Sequence, residues 1–230
     1  SESRYPAGCS HHAFTIIGAA RLSPDNRRLY LARSDYLNYR YCIECIELST
    51  GQTLWQTPWQ TESTDDSRGF LALDISPDGR VLASGSGFID TTIHIWEAAP
   101  GELLQRLDGH TASVFDLAFT RDGRRLISAG SDQTIRFWDT SAWTETHVLR
   151  GHTDEVWAIA LSEPAQLIAS VSKDGDLKLW AKDGKRAADG YRRLSESLGP
   201  FDVQPLDHSR VLLLPPGQAP ELVDLKRDSP

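Results

Sequence analysis

Hydrophobic and polar positions along this chain alternate in short stretches, and no stretch sustains a helical period. Near the middle, Phe115, Leu117 and Phe119 alternate with Asp116 and Ala118. An Asp-Gly pair at 122–123 follows, and such pairs supply the positive-φ residues of a tight hairpin turn. Leu126 and Ile127 then carry a second strand, Ile135 and Phe137 alternate with Arg136 and Trp138 in a third, and Val148 and Leu149 sit in a fourth. Short strands bounded by Gly, Asp and Ser predict small antiparallel sheets. The polar segment 182–197 allows a short helical turn.

The pattern repeats. Trp96, Trp138 and Trp180 are spaced 42 residues apart, as are Gly109-His110 and Gly151-His152. The turn Ser76-Pro77-Asp78-Gly79-Arg80 returns as Thr120-Arg121-Asp122-Gly123-Arg124, more loosely as Ser162-Glu163-Pro164-Ala165-Gln166, and earlier as Ser23-Pro24-Asp25-Asn26-Arg27. A period of about 40–45 residues is that of a four-stranded propeller blade.

Gly109-His110, Ser128, Asp132 and Trp138-Asp139 together resemble a full WD repeat. Gly151-His152, Ser170, Asp174 and Trp180 resemble another, with Ala181 in place of the last Asp. A third copy keeps Ser84, Asp90 and Trp96-Glu97 but lacks Gly-His, with Asp66 near that position. The resemblance to the WD-repeat β-propeller family is strong over 65–181 and degenerate at both ends. It implies an all-β fold of four-stranded antiparallel blades. Five blade-like units are visible, approximately 11–60, 65–107, 110–149, 152–198 and 199–227. They close a ring by themselves, with 3–8 as an added outer strand, or form part of a seven-bladed ring. The missing methionine suits an excised or processed piece of a longer chain.

The resemblance also implies a buried hydrogen-bond chain in each well-formed blade: His110, Ser128, Asp132 and Trp138, then His152, Ser170, Asp174 and Trp180. Trp can only donate, Ser can donate and accept, and neutral His does one of each, so the set satisfies itself without water. Ser, His and Asp are also the residues of a hydrolase triad. Two copies at the same offsets, each with a Trp attached, are what architecture calls for and catalysis does not.

In this family the residues at the start of the first strand, and just before the turn Asp, line one face around the central channel. Carried over, these are Ser113, Phe115 and Ser131 in one blade and Glu155, Trp157 and Lys173 in the next, with an apolar set of Gly69, Leu71 and Ile89 in the blade before. Phe115 and Trp157 either cap the blade core or anchor a partner, as exposed aromatics often do.

Composition narrows the function. The net charge of −8 lacks the basic balance of a nucleic-acid binder, and the pairs Arg124-Arg125 and Arg192-Arg193 read as solvated loop charges. No apolar run approaches the roughly 18 residues of a membrane span. Three cysteines, Cys9, Cys42 and Cys45, do not make a disulfide framework and suit a reducing, cytoplasmic setting. Cys42 and Cys45 have the gap of a zinc knuckle, with Cys9, His11 and His12 as further ligands, but residues three apart on a strand face opposite ways. They read as small core residues, and no metal or cofactor is expected. No phosphate-binding Gly-Lys-Ser/Thr loop and no nucleophile elbow occurs.

The expected function is a non-catalytic scaffold or adaptor that binds proteins or peptides through one face of the propeller. A regulatory or sensing region of a larger polypeptide, such as a kinase, a caspase-like protease or a nucleotide-binding ATPase, is the alternative. A ligand-binding or enzymatic propeller ranks below both.

Overall fold

The computed structural model describes residues 15–35, 40–58, 60–61, 70–86, 91–162, 166–183, 186–193, 202–205, 210–214 and 221–224. All regular elements among them are strands, and every pairing is antiparallel. The first blade orders β1 (Thr15–Leu22), β2 (Arg28–Asp35), β3 (Arg40–Glu47) and β4 (Thr53–Gln56), and β5 (Gln60–Thr61) also pairs with β3. The second runs β6 (Phe70–Ile75), β7 (Val81–Ser86), β8 (Ile93–Glu97), β9 (Leu103–Leu107). The third runs β10 (Val114–Phe119), β11 (Arg125–Gly130), β12 (Thr134–Asp139), β13 (Thr144–Arg150). The fourth runs β14 (Val156–Ser162), β15 (Leu167–Ser172), β16 (Asp176–Ala181), β17 (Arg186–Arg193). A last sheet holds β18 (Asp202–Pro205), β19 (Arg210–Leu214) and β20 (Glu221–Asp224).

The strand β17 replaces the helical turn allowed for 182–197. Its backbone pairs with the open edge of β16, Asp176 opposite Arg193 and Lys178 opposite Tyr191. An outer strand can be polar on both faces, so this one carries no apolar alternation to read.

The inner strands β1, β6, β10, β14 and β18 pack on one another in chain order. The core therefore lies between blades. Tyr30 and Ile43 of the first blade pack with Leu73, Leu82 and Trp96 of the second. Ile93 and Ile95 of the second pack with Leu117, Leu126 and Trp138 of the third, and Ile127 and Phe137 of the third with Ile159, Ile168 and Trp180 of the fourth. Ala158, Ala169 and Val171 then pack with Val203 of the last sheet. Each conserved-spacing Trp thus seals the joint with the preceding blade. A blade alone would leave one apolar face in water, so neighbours stabilise one another.

In the first three blades the hairpins between first and second strands are five-residue loops, not two-residue turns. In Thr120–Arg124, Asp122 Oδ1 accepts the Thr120 hydroxyl at 2.6 Å and the Arg124 N–H at 3.1 Å, and Gly123 takes φ +68°. Ser76–Arg80 repeats this, with Asp78 Oδ1 bonded to the Ser76 hydroxyl at 2.6 Å and Gly79 at φ +72°. Each turn Asp is pulled below the usual carboxylate range by that hydroxyl, Thr120 for Asp122 and Ser76 for Asp78.

Candidate functional site

In the third blade, Trp138 Nε1 donates to Ser128 Oγ at 2.9 Å, Ser128 Oγ lies 2.7 Å from His110 Nε2, and His110 Nδ1 lies 2.9 Å from Asp132 Oδ2. The fourth blade repeats it: Trp180 to Ser170 at 2.8 Å, Ser170 to His152 Nε2 at 2.7 Å, His152 Nδ1 to Asp174 Oδ2 at 2.8 Å. One proton arrangement satisfies every member: indole N–H to Ser oxygen, Ser O–H to Nε2, and Nδ1–H to the carboxylate. Burial pushes His152 below its ordinary value, which favours the neutral imidazole that this arrangement needs. Burial alone would raise both carboxyls. The N–H of Thr153 and the imidazole of His152 outweigh it and hold Asp174 down to about 2; His110, Thr134 and the Thr111 N–H hold Asp132 well below the usual range. The Ser-His-Asp order matches a hydrolase triad, but both serines have 0% exposure and accept an indole N–H. No substrate carbonyl reaches such a hydroxyl.

The second blade departs from this scheme. Trp96 Nε1 still donates to Ser84 Oγ at 2.9 Å. A histidine from the third strand, His94, is buried beside it, stacked on Trp96 and 3.3 Å from Ser86 Oγ. Asp66 and Asp90 lie outside the described residues.

The position two residues before Trp96, Trp138 and Trp180 holds a buried polar side chain that sequence reasoning missed, His94, Arg136 and Lys178, and Glu44 holds the same place before Ile46 in the first blade. Each has its own partner. Arg33 lies 2.5 Å from Glu44, Arg136 pairs with Glu145, and Lys178 Nζ donates to the Gly151 carbonyl at 2.9 Å and meets Asp176 at 3.1 Å. Also missed were two aspartates that tie blades together. Asp74 Oδ2 accepts the Phe119 N–H at 2.7 Å, and Asp116 Oδ2 the Ile159 N–H at 2.8 Å.

Three of the residues expected at the channel face, Ser131, Trp157 and Lys173, gather around the carboxylate of a fourth, Glu155. Glu155 Oε1 accepts the Ser131 hydroxyl from the third blade at 3.0 Å, and Oε2 accepts the Trp157 indole N–H at 3.3 Å, with Lys173 Nζ at 3.9 Å. Ser113 is buried, and its carbonyl accepts the Ser131 N–H at 2.8 Å. Phe115 and Trp157 are half-buried, and Trp157 packs on the fourth-blade core. The first-to-second-strand ladders slip between Val114 and Asp116 and between Val156 and Ala158, so Phe115 and Trp157 are the extra residues of β-bulges. Bulges re-aim side chains and concentrate next to binding sites. The alternation of the sequence gives no sign of them. Leu71 occupies the same bulge position in β6, while Gly69 and Ile89 lie outside the described residues.

Cys42 and Cys45 are buried on β3; Gln56 Nε2 lies 3.4 Å from the Cys42 sulfur, and burial raises the Cys45 thiol. Cys9, His11 and His12 lie outside the described residues. Among the described residues no three His, Cys, Asp or Glu side chains gather as a metal site, and no helix is long and apolar enough to cross a membrane.

The family model described as "WD domain, G-beta repeat" matches residues 61–97, 101–139 and 143–181. Among curated relatives, the chain is 36% identical over 76 residues to the periodic tryptophan protein 2 homolog of Neurospora crassa, covering 33% of this chain and 8% of that protein. It is 35% identical over 66 residues to the human U5 small nuclear ribonucleoprotein 40 kDa protein, covering 29% and 18%. It is 32% identical over 131 residues to the U3 snoRNP-associated protein-like EMB2271 of Arabidopsis thaliana, covering 52% and 26%. The matched stretch is thus about a quarter or less of each relative's length.

Proposed function

The chain belongs to the WD-repeat family, and on that premise we propose that it is a non-catalytic interaction scaffold whose partner, a protein or peptide, docks on the face carrying Phe115 and Trp157. The observation that carries this reading is the Glu155 cluster. One carboxylate ties Ser131 of the third blade to Trp157 and Lys173 of the fourth, at the two bulges. The half-buried Trp157 is thereby held in place, with the half-buried Phe115 at the matching bulge of the third blade, and a rigid aromatic loses little entropy when a partner covers it. The names of two relatives support a setting in a multi-component particle of the ribonucleoprotein kind. The small share of each relative that the chain covers supports a second reading, in which these blades are the regulatory region of a larger polypeptide.

The test is quantitative affinity capture with the wild-type chain and with Phe115→Ala/Trp157→Ala, alongside melting curves. Partners should fall at least tenfold in the double variant with the fold retained. Equal capture by both would remove this face from the interface.

A further inference from the structure

The three joints between the first four blades are built alike, and the middle one lacks a part. Ala98, Thr140 and Lys182 occupy one position, each donating its N–H back to the hairpin of its own blade: to Arg80, Arg124 and Gln166. At the first joint, Trp55 of the preceding blade donates its indole N–H to the Ala98 carbonyl at 3.1 Å, and its ring covers Gly101. At the third joint, Arg125 Nη1 donates to the Lys182 carbonyl at 3.0 Å. At the middle joint the matching positions of the preceding blade are smaller or uncharged. Val81 stands where the neighbouring blades have Arg28 and Arg125, Ala83 where the first has Tyr30, and Gln105 where the first has Trp55.

A groove of about 480 Å³ opens there, lined by Pro77, Asp78 and Val81 on one side and Asp122, Thr140 and Trp143 on the other. Trp143 takes φ +52° at a turn position where the first two blades have Gly51 and Gly101, at +69° and +94°. A bulky residue in that region is strained, so the indole is held in the groove at a cost the first two blades avoid. The charge is negative on balance, two carboxylates against Arg121. Arg80 stands 4.0 Å from Asp78, but both are solvent-exposed and such a pair contributes little.

We propose that this groove is a docking site for an arginine side chain of a protein partner, with its stem on Trp143 and its guanidinium between Asp78 and Asp122. The partner's arginine would fill the place that Arg125 fills at the next joint. Arginine suits the site because its apolar stem packs on an indole while its planar head reaches carboxylates and a carbonyl through several N–H groups. The groove lies at the hairpin end of β10, opposite the end that carries Phe115, so it is a second surface and stands apart from the Glu155 face.

The test follows the Trp143 indole ¹H–¹⁵N resonance in the 230-residue chain during titration with acetyl-Gly-Arg-Gly-amide. A saturating shift is expected, at least about tenfold weaker with the citrulline peptide, which keeps shape and loses charge. Val81→Arg rebuilds the neighbouring joint and should weaken binding at least about tenfold while the chain stays folded. Trp143→Gly, which relieves the strained backbone, should do the same when binding is followed through the Thr140 amide. Phe115→Ala/Trp157→Ala should bind the peptide like wild type, so failure at this groove leaves the other face untouched. No saturable shift, equal binding of arginine and citrulline, or undiminished binding by both groove variants would overturn the proposal.

Discussion

Asp74 of β6 accepts the backbone N–H of Phe119 in β10 at 2.7 Å, a hydrogen bond that crosses from the second blade to the third. Its other oxygen meets Arg21 of the first blade at 3.3 Å, so one carboxylate joins three blades. Replacing it with Ala strands a buried N–H, and Asp74→Ala should destabilise by about 1–3 kcal/mol. Asp74→Asn keeps an acceptor and should cost less. Chemical denaturation of the two variants checks the order.

Ser128 is the centre of the third-blade chain, between Trp138 and His110. Ser128→Ala leaves an indole N–H and an imidazole nitrogen without partners, at about 1–3 kcal/mol. Ser170→Ala should cost a similar amount, and the two should be close to additive because the networks share no member. Melting of the single and double variants measures both claims.

Stability should fall as the solution is acidified, in two stages. His152 is held below its ordinary 6.5, so between that value and its lower folded value the unfolded chain binds more protons, and lowering the pH favours unfolding. Asp174 is held down to about 2 from 3.8, so it stabilises the fold above about 4, and that contribution is lost as pH falls toward 2. Asp74 acts in the opposite sense. Burial raises it despite Phe119 and Arg21, so its protonation favours the fold. Asp174→Asn should flatten the acid stage of a Tm-against-pH curve.

Gly101 sits under Trp55, and a β-carbon placed there would lie 2.4 Å from the ring at φ +94°. Gly101→Ala therefore meets both a clash and a strained backbone. It should destabilise by about 1–3 kcal/mol and open the first joint, read as a red shift of Trp55 emission.

The Trp-Ser-His-Asp chains could be read from sequence because four residue types with interlocking hydrogen-bond capacities recur at one spacing. That Ser131, Glu155, Trp157 and Lys173 share one face was an expectation carried over from the family resemblance, not one that the spacing supplied. Other features left no trace in composition. A bulge at Trp157 is one skipped rung, which changes no residue type. Asp116 alternates with Phe115 and Leu117 in the sequence, and nothing local there or around Asp74 says that the next blade covers the carboxylate. Nothing in the sequence singles out Trp143, because its left-handed backbone position is usually glycine's.

The most direct measurement of the central claim replaces Trp157 with a photo-crosslinking phenylalanine analogue in cells, irradiates, and identifies the adduct, with Glu145 on an outer strand as the control position. A discrete protein adduct from position 157 and none from 145 is the result this account requires. Adducts to RNA alone, or the same adducts from both positions, would contradict a protein-docking face at Phe115 and Trp157.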